Sequence, residues 1–124
     1  KKNFRADSGI IAALIVLEYM SDQEVNLSQL REKYDIYSSS GELNFAIKNP
    51  LELLEIVEQE FINERSDSLD GLTITSDTWW FNLRSSNTEP LVRLNLEADN
   101  DTIREQMLIR LKDLIDTYSS DHGN

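Results

Sequence analysis

Apolar residues follow two different rhythms along this chain, and the change falls near residue 36. Residues 7–20 predict a helix with Asp7 or Ser8 as its N-cap. Apolar side chains nearly encircle this helix: Ile10, Ile11, Leu14, Ile15, Val16, Leu17, Tyr19 and Met20. Because an all-round apolar helix is typical of a protein interior, we interpret it as part of a preceding domain. A shorter helix is predicted over residues 28–34.

From residue 36 onward, segments of alternating apolar and polar residues predict half-buried strands, and two stretches have helical spacing. The predicted strands cover residues 37–47, 72–75, 79–84 and 91–98, and the predicted helices cover residues 50–63 and 101–119. Asn49 is the predicted N-cap before Pro50, and the polar tail from residue 120 is expected to fray. The order β-α-β-β-β-α predicts an α+β domain, with two helices on one face of a mostly antiparallel sheet.

The net charge of −11 narrows the range of partners. An acidic surface repels nucleic acid and anionic membranes, so neither is expected as a partner. The apolar run at residues 10–17 is too short to span a bilayer. The absence of cysteine excludes disulfides and thiolate metal sites, which makes the cytoplasm the expected compartment. Since the chain opens Lys1-Lys2-Asn3, we expect it to be cut from a longer protein.

The connection between the last two predicted strands carries the chemistry of this sequence. It reads Arg84-Ser85-Ser86-Asn87-Thr88-Glu89-Pro90. Arginine offers a planar fork of donors that suits phosphate oxygens, while serine, threonine and asparagine add hydroxyl and amide donors. Small polar residues also let backbone N–H groups converge on an anion. Pro90 biases Glu89 towards an extended conformation and so ends the loop. Arg93 has the same outward parity as Arg84 and adds positive potential.

A polar hairpin loop without a ligand is the competing interpretation, because serine, asparagine and threonine favour turns in general. Other features have structural explanations that we favour over functional ones. Asp99 and Asp101 are expected to complement the start of the last helix rather than to bind a metal. His122 is expected to be a surface residue in a disordered tail. Trp79 is expected in the core and Trp80 on the open face of the sheet or against a neighbouring domain, rather than stacked on a sugar.

Residues 84–90 match the R-x-S-N-T-E-P phosphate-binding loop of the α-D-phosphohexomutase superfamily, and residues 91–98 resemble the strand that follows it. Phe4-Arg5-Ala6-Asp7-Ser8-Gly9 resembles the segment after the family's sugar-binding loop in domain 3. Ser39-Ser40-Gly41-Glu42-Leu43-Asn44 resembles the opening strand of domain 4. Asn87 makes the loop more similar to bacterial phosphomannomutase/phosphoglucomutase than to phosphoglucosamine mutase, whose loop usually has glycine at this place.

The resemblance implies a TATA-binding-protein-like domain over residues 36–124, with residues 1–35 as a helical remnant of domain 3 and a linker. It also implies a role for the loop, which would hold the phosphate of a hexose phosphate that is not reacting. The implied phosphate ligands are Arg84, Ser86, Asn87 and Thr88, with Glu89 and Pro90 shaping the loop and Arg93 as an auxiliary group.

The full-length enzyme implied by the resemblance is a cytoplasmic, Mg²⁺-dependent isomerase. It would interconvert mannose or glucose 1- and 6-phosphates through a phosphoserine. No stretch of this chain resembles the phosphoserine loop or the aspartate-rich Mg²⁺ loop, so we expect no catalytic residue, metal site or cofactor here and an inactive fragment. The expected partners are the substrate and the missing N-terminal domains.

Two functions of other classes stay open from the sequence. The chain could be a stand-alone phosphate- or anion-binding module. It could also be a protein-interaction domain, which the apolar helix over residues 7–20 favours because such a face can mediate a dimer.

The apolar helix generates a prediction about self-association. Size-exclusion chromatography of the 124-residue chain is expected to give dimers or aggregates, because burial of the apolar surface of this helix is favourable. Deletion of residues 1–20 is expected to return a monomer. A monomer that retains the helix would contradict the prediction.

Overall fold

A computed structural model describes residues 8–122 of the chain. These residues fall into two compact units, one ending at Ile36 and the other beginning at Tyr37. The assignment of residues 1–35 to a preceding domain stays a prediction. No helix within the described range is long and apolar enough to cross a membrane.

The first unit consists of helices α1 (Gly9–Gln23) and α2 (Leu27–Tyr34). Ser8 caps α1, since its side chain accepts a hydrogen bond from the backbone N–H of Ile11 at 3.3 Å. The alternative cap, Asp7, lies outside the described residues. No residue of α1 is buried, and Ile10 is 77% exposed. Apolar side chains of α1 are therefore exposed, among them Ile10, Leu14 and Leu17.

The second unit contains one five-stranded antiparallel sheet and two helices. Its elements are β1 (Ser38–Ala46), α3 (Pro50–Glu60), β2 (Arg65–Asp67), β3 (Leu72–Thr75), β4 (Trp79–Ser85), β5 (Leu91–Ala98) and α4 (Asp101–Asp121). The strands lie in the order β1-β5-β4-β3-β2. Hairpins join β2 through β5, and β5 then pairs with β1, so the chain returns to where the unit began. This arrangement confirms the predicted α+β fold class.

One apolar layer lies between the sheet and the two helices. Alternate residues of the central strands point into it, as the period of two requires. The buried side chains from those strands are Leu72, Ile74, Phe81, Leu83, Val92, Leu94, Leu96 and Ala98. The helices contribute Leu53, Val57, Met107, Leu111, Ile115 and Tyr118 at helical spacing. Trp79, predicted in the core, is half-buried and stacks on Phe81 with ring centroids 5.9 Å apart.

The sequence-based boundaries need several corrections. Strand β2 was not predicted, because Arg65-Ser66-Asp67 has no apolar alternation and all three residues are exposed. Helix α3 ends at Glu60 rather than at residue 63. Asn49 precedes α3 without a side-chain capping bond, since its amide donates to the Glu52 carboxylate at 3.1 Å instead.

The C-terminal tail is more ordered than predicted. Helix α4 runs to Asp121, and the Ser120 hydroxyl donates to the Asp116 carbonyl oxygen at 2.9 Å. His122 stacks on Tyr118 with ring centroids 4.3 Å apart, so the expectation of a disordered histidine is wrong. Residues 123 and 124 lie outside the described range. Polarity alone predicts a frayed tail, and polarity does not show that a side chain can stack on a residue of its own helix.

Tyr118 joins α4 to α3 through its hydroxyl, which donates to a carboxylate oxygen of Glu52 at 2.8 Å. Burial, and then the hydrogen bond to Glu52, raise the pKa of the Tyr118 phenol. A raised pKa means that the folded protein holds this proton more tightly than the unfolded chain does. Its contribution to stability is therefore complete at neutral pH and declines as the pH rises above about 10, the ordinary tyrosine value.

We predict that Tyr118→Phe removes this alkaline loss of stability. Urea unfolding measured at a series of pH values around and above 10 checks it, because the variant's curve should lack the decline that this phenol causes. Tyr37→Phe, at an exposed tyrosine of the same unit, is the control and should keep the decline. Identical alkaline slopes for Tyr118→Phe and the unmodified chain would contradict the prediction.

Candidate functional site

The loop between β4 and β5 is closed by backbone hydrogen bonds at its base. The N–H of Ser86 donates to the carbonyl oxygen of Leu91 at 2.9 Å. The N–H of Leu91 in turn donates to the carbonyl oxygen of Glu89 at 2.8 Å. The carbonyl oxygen of Pro90 accepts from the N–H of Ile47 at 3.1 Å, which ties the loop to the end of β1. Glu89 and Pro90 thus lie where the loop is anchored, and residues 86–88 form its tip.

Small donors cluster at the tip of the loop. The hydroxyl oxygens of Ser86 and Thr88 are 3.5 Å apart, and the backbone N–H of Thr88 points at the Ser86 hydroxyl with a distance of 3.4 Å. Both distances exceed the usual hydrogen-bond length of about 2.7–3.0 Å, so these donors are weakly engaged. Asn87 and Thr88 are exposed. The tip therefore presents hydroxyl and N–H groups that can still take a stronger acceptor.

Two arginines lie side by side on the open face of the sheet. Arg84 of β4 and Arg93 of β5 are direct cross-strand partners. Their neighbours Leu83 and Leu94 are also paired and are fully buried on the opposite face. Like charges directly opposite each other repel, so the pair needs a counter-charge.

Glu42 of β1 supplies that counter-charge. Its carboxylate lies 3.6 Å from a guanidinium nitrogen of Arg84 and 3.7 Å from one of Arg93. The position of Glu42 depends on a bulge in β1, because the register shifts between Ser39 and Glu42. After the bulge, Glu42 pairs with Asn95 on the polar face, whereas strict alternation from Ser39 would turn it towards the core.

Asp70 approaches Arg84 from the other side. Its carboxylate lies 3.5 Å from the second terminal nitrogen of the Arg84 guanidinium. Charge-assisted hydrogen bonds normally measure about 2.7–2.9 Å, so neither carboxylate grips Arg84 closely. The Nε of Arg93 is buried without a hydrogen-bond partner. Two positive and two negative groups leave this cluster with no net formal charge. The guanidinium N–H donors make only long contacts with these carboxylates.

These groups surround an open cleft of about 430 Å³. The lining residues are Leu69, Asp70, Gly71, Arg84, Ser85, Ser86, Asn87, Thr88 and Arg93. The cleft brings together five of the residues singled out in the sequence: Arg84, Ser86, Asn87, Thr88 and Arg93. The other two, Glu89 and Pro90, lie at the loop base and are not among the lining residues.

Sequence reasoning missed the roles of Glu42, Asp70 and Gly71 in this neighbourhood. The pair Asp70-Gly71 is typical of a turn, and Glu42 stands just before the apolar alternation of its strand, so neither pattern points to Arg84. Their proximity to Arg84 depends on the order of strands in the sheet, which places β3 and β5 on either side of β4. The available signal is alternation, since counting back from Leu43 places Glu42 on an outward position, as Arg84 is.

The remaining sequence candidates have structural partners. Asp101 accepts from the Ser38 hydroxyl and lies 3.2 Å from an Arg104 guanidinium nitrogen, within the first turn of α4. Asn100 caps that helix by accepting from the N–H of Ile103 at 3.0 Å. The indole N–H of Trp80 donates to Glu97 at 3.2 Å beside a second, smaller hollow at the far end of the sheet.

An antiparallel sheet covered on one face by two helices, with a donor-rich loop at one end of its open face, defines an α+β domain. Its element order is consistent with the TATA-binding-protein-like type that the sequence resemblance implies. Comparison with known proteins then identifies the family. A sequence profile described as "Phosphoglucomutase/phosphomannomutase, C-terminal domain" matches residues 42–111. This range includes the whole loop and both arginines of the cleft. The chain belongs to this family, as the sequence resemblance predicts.

Similar full-length proteins carry matching names. A phosphomannomutase of Methanocaldococcus jannaschii is 38% identical over 109 residues, which cover 88% of this chain and 24% of that protein. A phosphomannomutase of Escherichia coli is 42% identical over 98 residues, covering 77% of this chain and 22% of that protein. A phosphohexose mutase of Xanthomonas campestris is 37% identical over 99 residues, covering 77% and 22%. The chain thus spans about a quarter of the length of these relatives.

The bridging position of Glu42 generates a stability prediction. Glu42→Gln is expected to lower the free energy of unfolding by about 0.2–1 kcal/mol, because the two guanidinium groups lose a shared counter-charge on a partly exposed face. High salt should remove most of this difference, since it screens the repulsion. Urea unfolding at low and high salt checks the prediction, with Glu58→Gln, at an exposed residue of α3, as the control. A loss that is equally large at both salt concentrations would contradict it.

Proposed function

We propose that the cleft binds a phosphate group of a hexose phosphate, with Arg84, Ser86, Asn87 and Thr88 as ligands and Arg93 as an auxiliary positive group. One observation carries this proposal. A guanidinium, two hydroxyls and a backbone N–H converge on one open polar cleft, and their contacts with other protein groups are long. A phosphate dianion offers acceptor oxygens in several directions, which suits such a set.

The long ion pairs of Arg84 favour exchange of its partners. Glu42 and Asp70 hold the guanidinium at 3.5–3.6 Å, a distance that keeps it near the cleft without saturating its donors. An incoming phosphate can form shorter, bidentate hydrogen bonds to Arg84 in place of these contacts. The carboxylates also lower the positive potential of the cleft. Binding in this arrangement depends on well-placed donors more than on an excess of charge.

Within the complete enzyme, we propose that this domain holds the phosphate that is not reacting while the other phosphate exchanges with a phosphoserine. Such a clamp must accept a phosphate on carbon 1 or on carbon 6 of the sugar. The donors around the cleft suit this requirement because they address the phosphate oxygens. Relatives described as phosphomannomutase and phosphohexose mutases support a hexose phosphate as the substrate.

The chemical step is assigned to other domains, and the isolated chain is proposed to be inactive. Within residues 8–122, no group of three or more histidine, aspartate or glutamate side chains is arranged to hold a metal ion. The Mg²⁺ implied by the family does not fit the described residues, so we derive no step through it. The missing N-terminal domains are the proposed partners of this one, and the cytoplasm is the proposed compartment.

Arg84 provides the main test of the proposed function. In the complete enzyme, Arg84→Ala is expected to raise KM and to lower kcat/KM. The lost transition-state stabilisation should be about 1.5–3 kcal/mol, the range for hydrogen bonds to charged groups. Steady-state kinetics with a hexose 1-phosphate measures the loss. Thermal unfolding of the same variant should change little, because Arg84 is partly exposed and its ion pairs are long.

Arg110→Ala is the matched control, since it removes one positive charge from α4, where Arg110 pairs with Glu60 at 2.7 Å. It should leave kcat/KM close to that of the unmodified enzyme even if stability falls. Unchanged kinetics for Arg84→Ala would remove Arg84 from the site. Equal losses for both variants would attribute the effect to net charge and not to a built cleft.

A further inference from the structure

The turn before β3 lies directly against the backbone of Arg84. Gly71 has a φ of +74°, a conformation that residues with a side chain rarely adopt. A Cβ atom placed on Gly71 would lie 2.6 Å from the Cβ and 2.8 Å from the Cα of Arg84. It would also lie 2.6 Å from the carbonyl oxygen of Leu83. These contacts are with backbone and near-backbone atoms, so rotation of a flexible side chain cannot relieve them.

Side-chain hydrogen bonds hold the same turn in place. The Asn82 amide donates to the carbonyl oxygen of Asp70 at 2.8 Å and to the hydroxyl of Thr73 at 3.0 Å. Asn82 lies on β4, two residues before Arg84 and on the same face of the sheet. The Asp70 carboxylate reaches the Arg84 guanidinium. The turn therefore contacts β4 in three ways: through the Asn82 side chain, through the backbone around Arg84, and through the ion pair between Asp70 and Arg84.

We propose that Gly71 is a positioning residue for phosphate binding, which acts by letting the turn lie against Arg84 and so fixing where its guanidinium enters the cleft. The inference rests on the function proposed for Arg84. It adds a residue that need not touch the phosphate and assigns it a steric role. The turn forms one wall of the cleft, because Leu69, Asp70 and Gly71 all line it.

A methyl group at position 71 would force the turn and β4 apart. The overlap amounts to most of an ångström, since ordinary contacts of such atoms begin near 3.4 Å. Misplacement of a binding group on that scale weakens binding even when the group itself is intact, and in catalysis a shift of about 1 Å can cost up to 100-fold in rate. We expect Gly71→Ala to weaken phosphate binding by roughly tenfold.

The test is a titration of the 124-residue chain with inorganic phosphate, followed by NMR. In the unmodified chain, the side-chain Nε–H signal of Arg84 and the backbone signals of residues 86–88 should shift together. In Gly71→Ala, the same shifts should require roughly tenfold more phosphate. Unfolding curves define conditions in which every variant is folded. Affinity of the folded protein then separates positioning from stability.

Two controls isolate the overlap. Gly41→Ala adds a methyl group at another positive φ, +64°, where nothing lies within 4 Å. Its unfolding curve reports the stability cost of that conformation, and its phosphate affinity is not compared, because Gly41 lies in the bulge that places Glu42. Val57→Ala destabilises the unit from the buried face of α3, away from the cleft. Folded Val57→Ala should bind phosphate as the unmodified chain does.

Asn82→Ala tests the inference without adding any atoms, and it decides the matter if Gly71→Ala does not fold. It releases the turn by removing two hydrogen bonds, so phosphate affinity should fall several-fold. If the unmodified chain binds no phosphate, the proposed function fails and this inference fails with it. If the unmodified chain binds phosphate and the Kd of folded Gly71→Ala lies within about twofold of its Kd, the inference alone is overturned. Such a ratio corresponds to less than about 0.5 kcal/mol of binding free energy. With Gly71→Ala unfolded, unchanged affinity in Asn82→Ala would overturn it equally.

Discussion

The pairing of β4 with β5 is the constraint on which the rest of the second unit depends. Its register places Leu83 beside Leu94 in the core and, one residue further along, Arg84 beside Arg93 on the open face. The same alternation therefore builds the apolar layer and the charged cleft. A slip of one residue would expose the leucines and bury the arginines, so burial of the core also fixes the geometry of the site.

Charge balance around the cleft follows from this pairing. Two arginines held side by side need carboxylates, and the carboxylates come from elements that are distant in sequence, β1 and the turn before β3. The protein carries a net charge of −11, yet it keeps two guanidinium groups at one end of the sheet. Local placement, and not overall charge, decides what this surface can bind.

Much of this architecture could be predicted from the sequence. Strict alternation predicts β3, β4, β5 and the second half of β1, and helical spacing predicts α3 and α4. Strand β2 could not be found in this way, because its three exposed residues are defined by their pairing with β3 and not by burial. The prediction for His122 is wrong for a related reason. Its stacking on Tyr118 depends on the continuation of α4 and not on any apolar pattern.

The candidate site also has a part that the sequence pattern predicts and a part that depends on the tertiary structure. Arg84, Ser86, Asn87 and Thr88 are adjacent in sequence and recognisable as a motif. Glu42 and Gly71 matter because of strand order and close backbone approach, which a linear pattern does not encode. Alternation from Leu43 places Glu42 on the outward face, but its register from Ser39 onward depends on the bulge in β1, which appears in the sequence only as a run of serine and glycine.

Strand β2 has one further consequence, which concerns the border of the sheet. It leaves one lateral side of the sheet lined by only three residues, two of them charged, Arg65 and Asp67. A short, charged border offers few backbone groups to a passing strand from another molecule. The element that contributes least to the core thus limits strand addition at this edge of the sheet, whereas the opposite edge is formed by the longer β1.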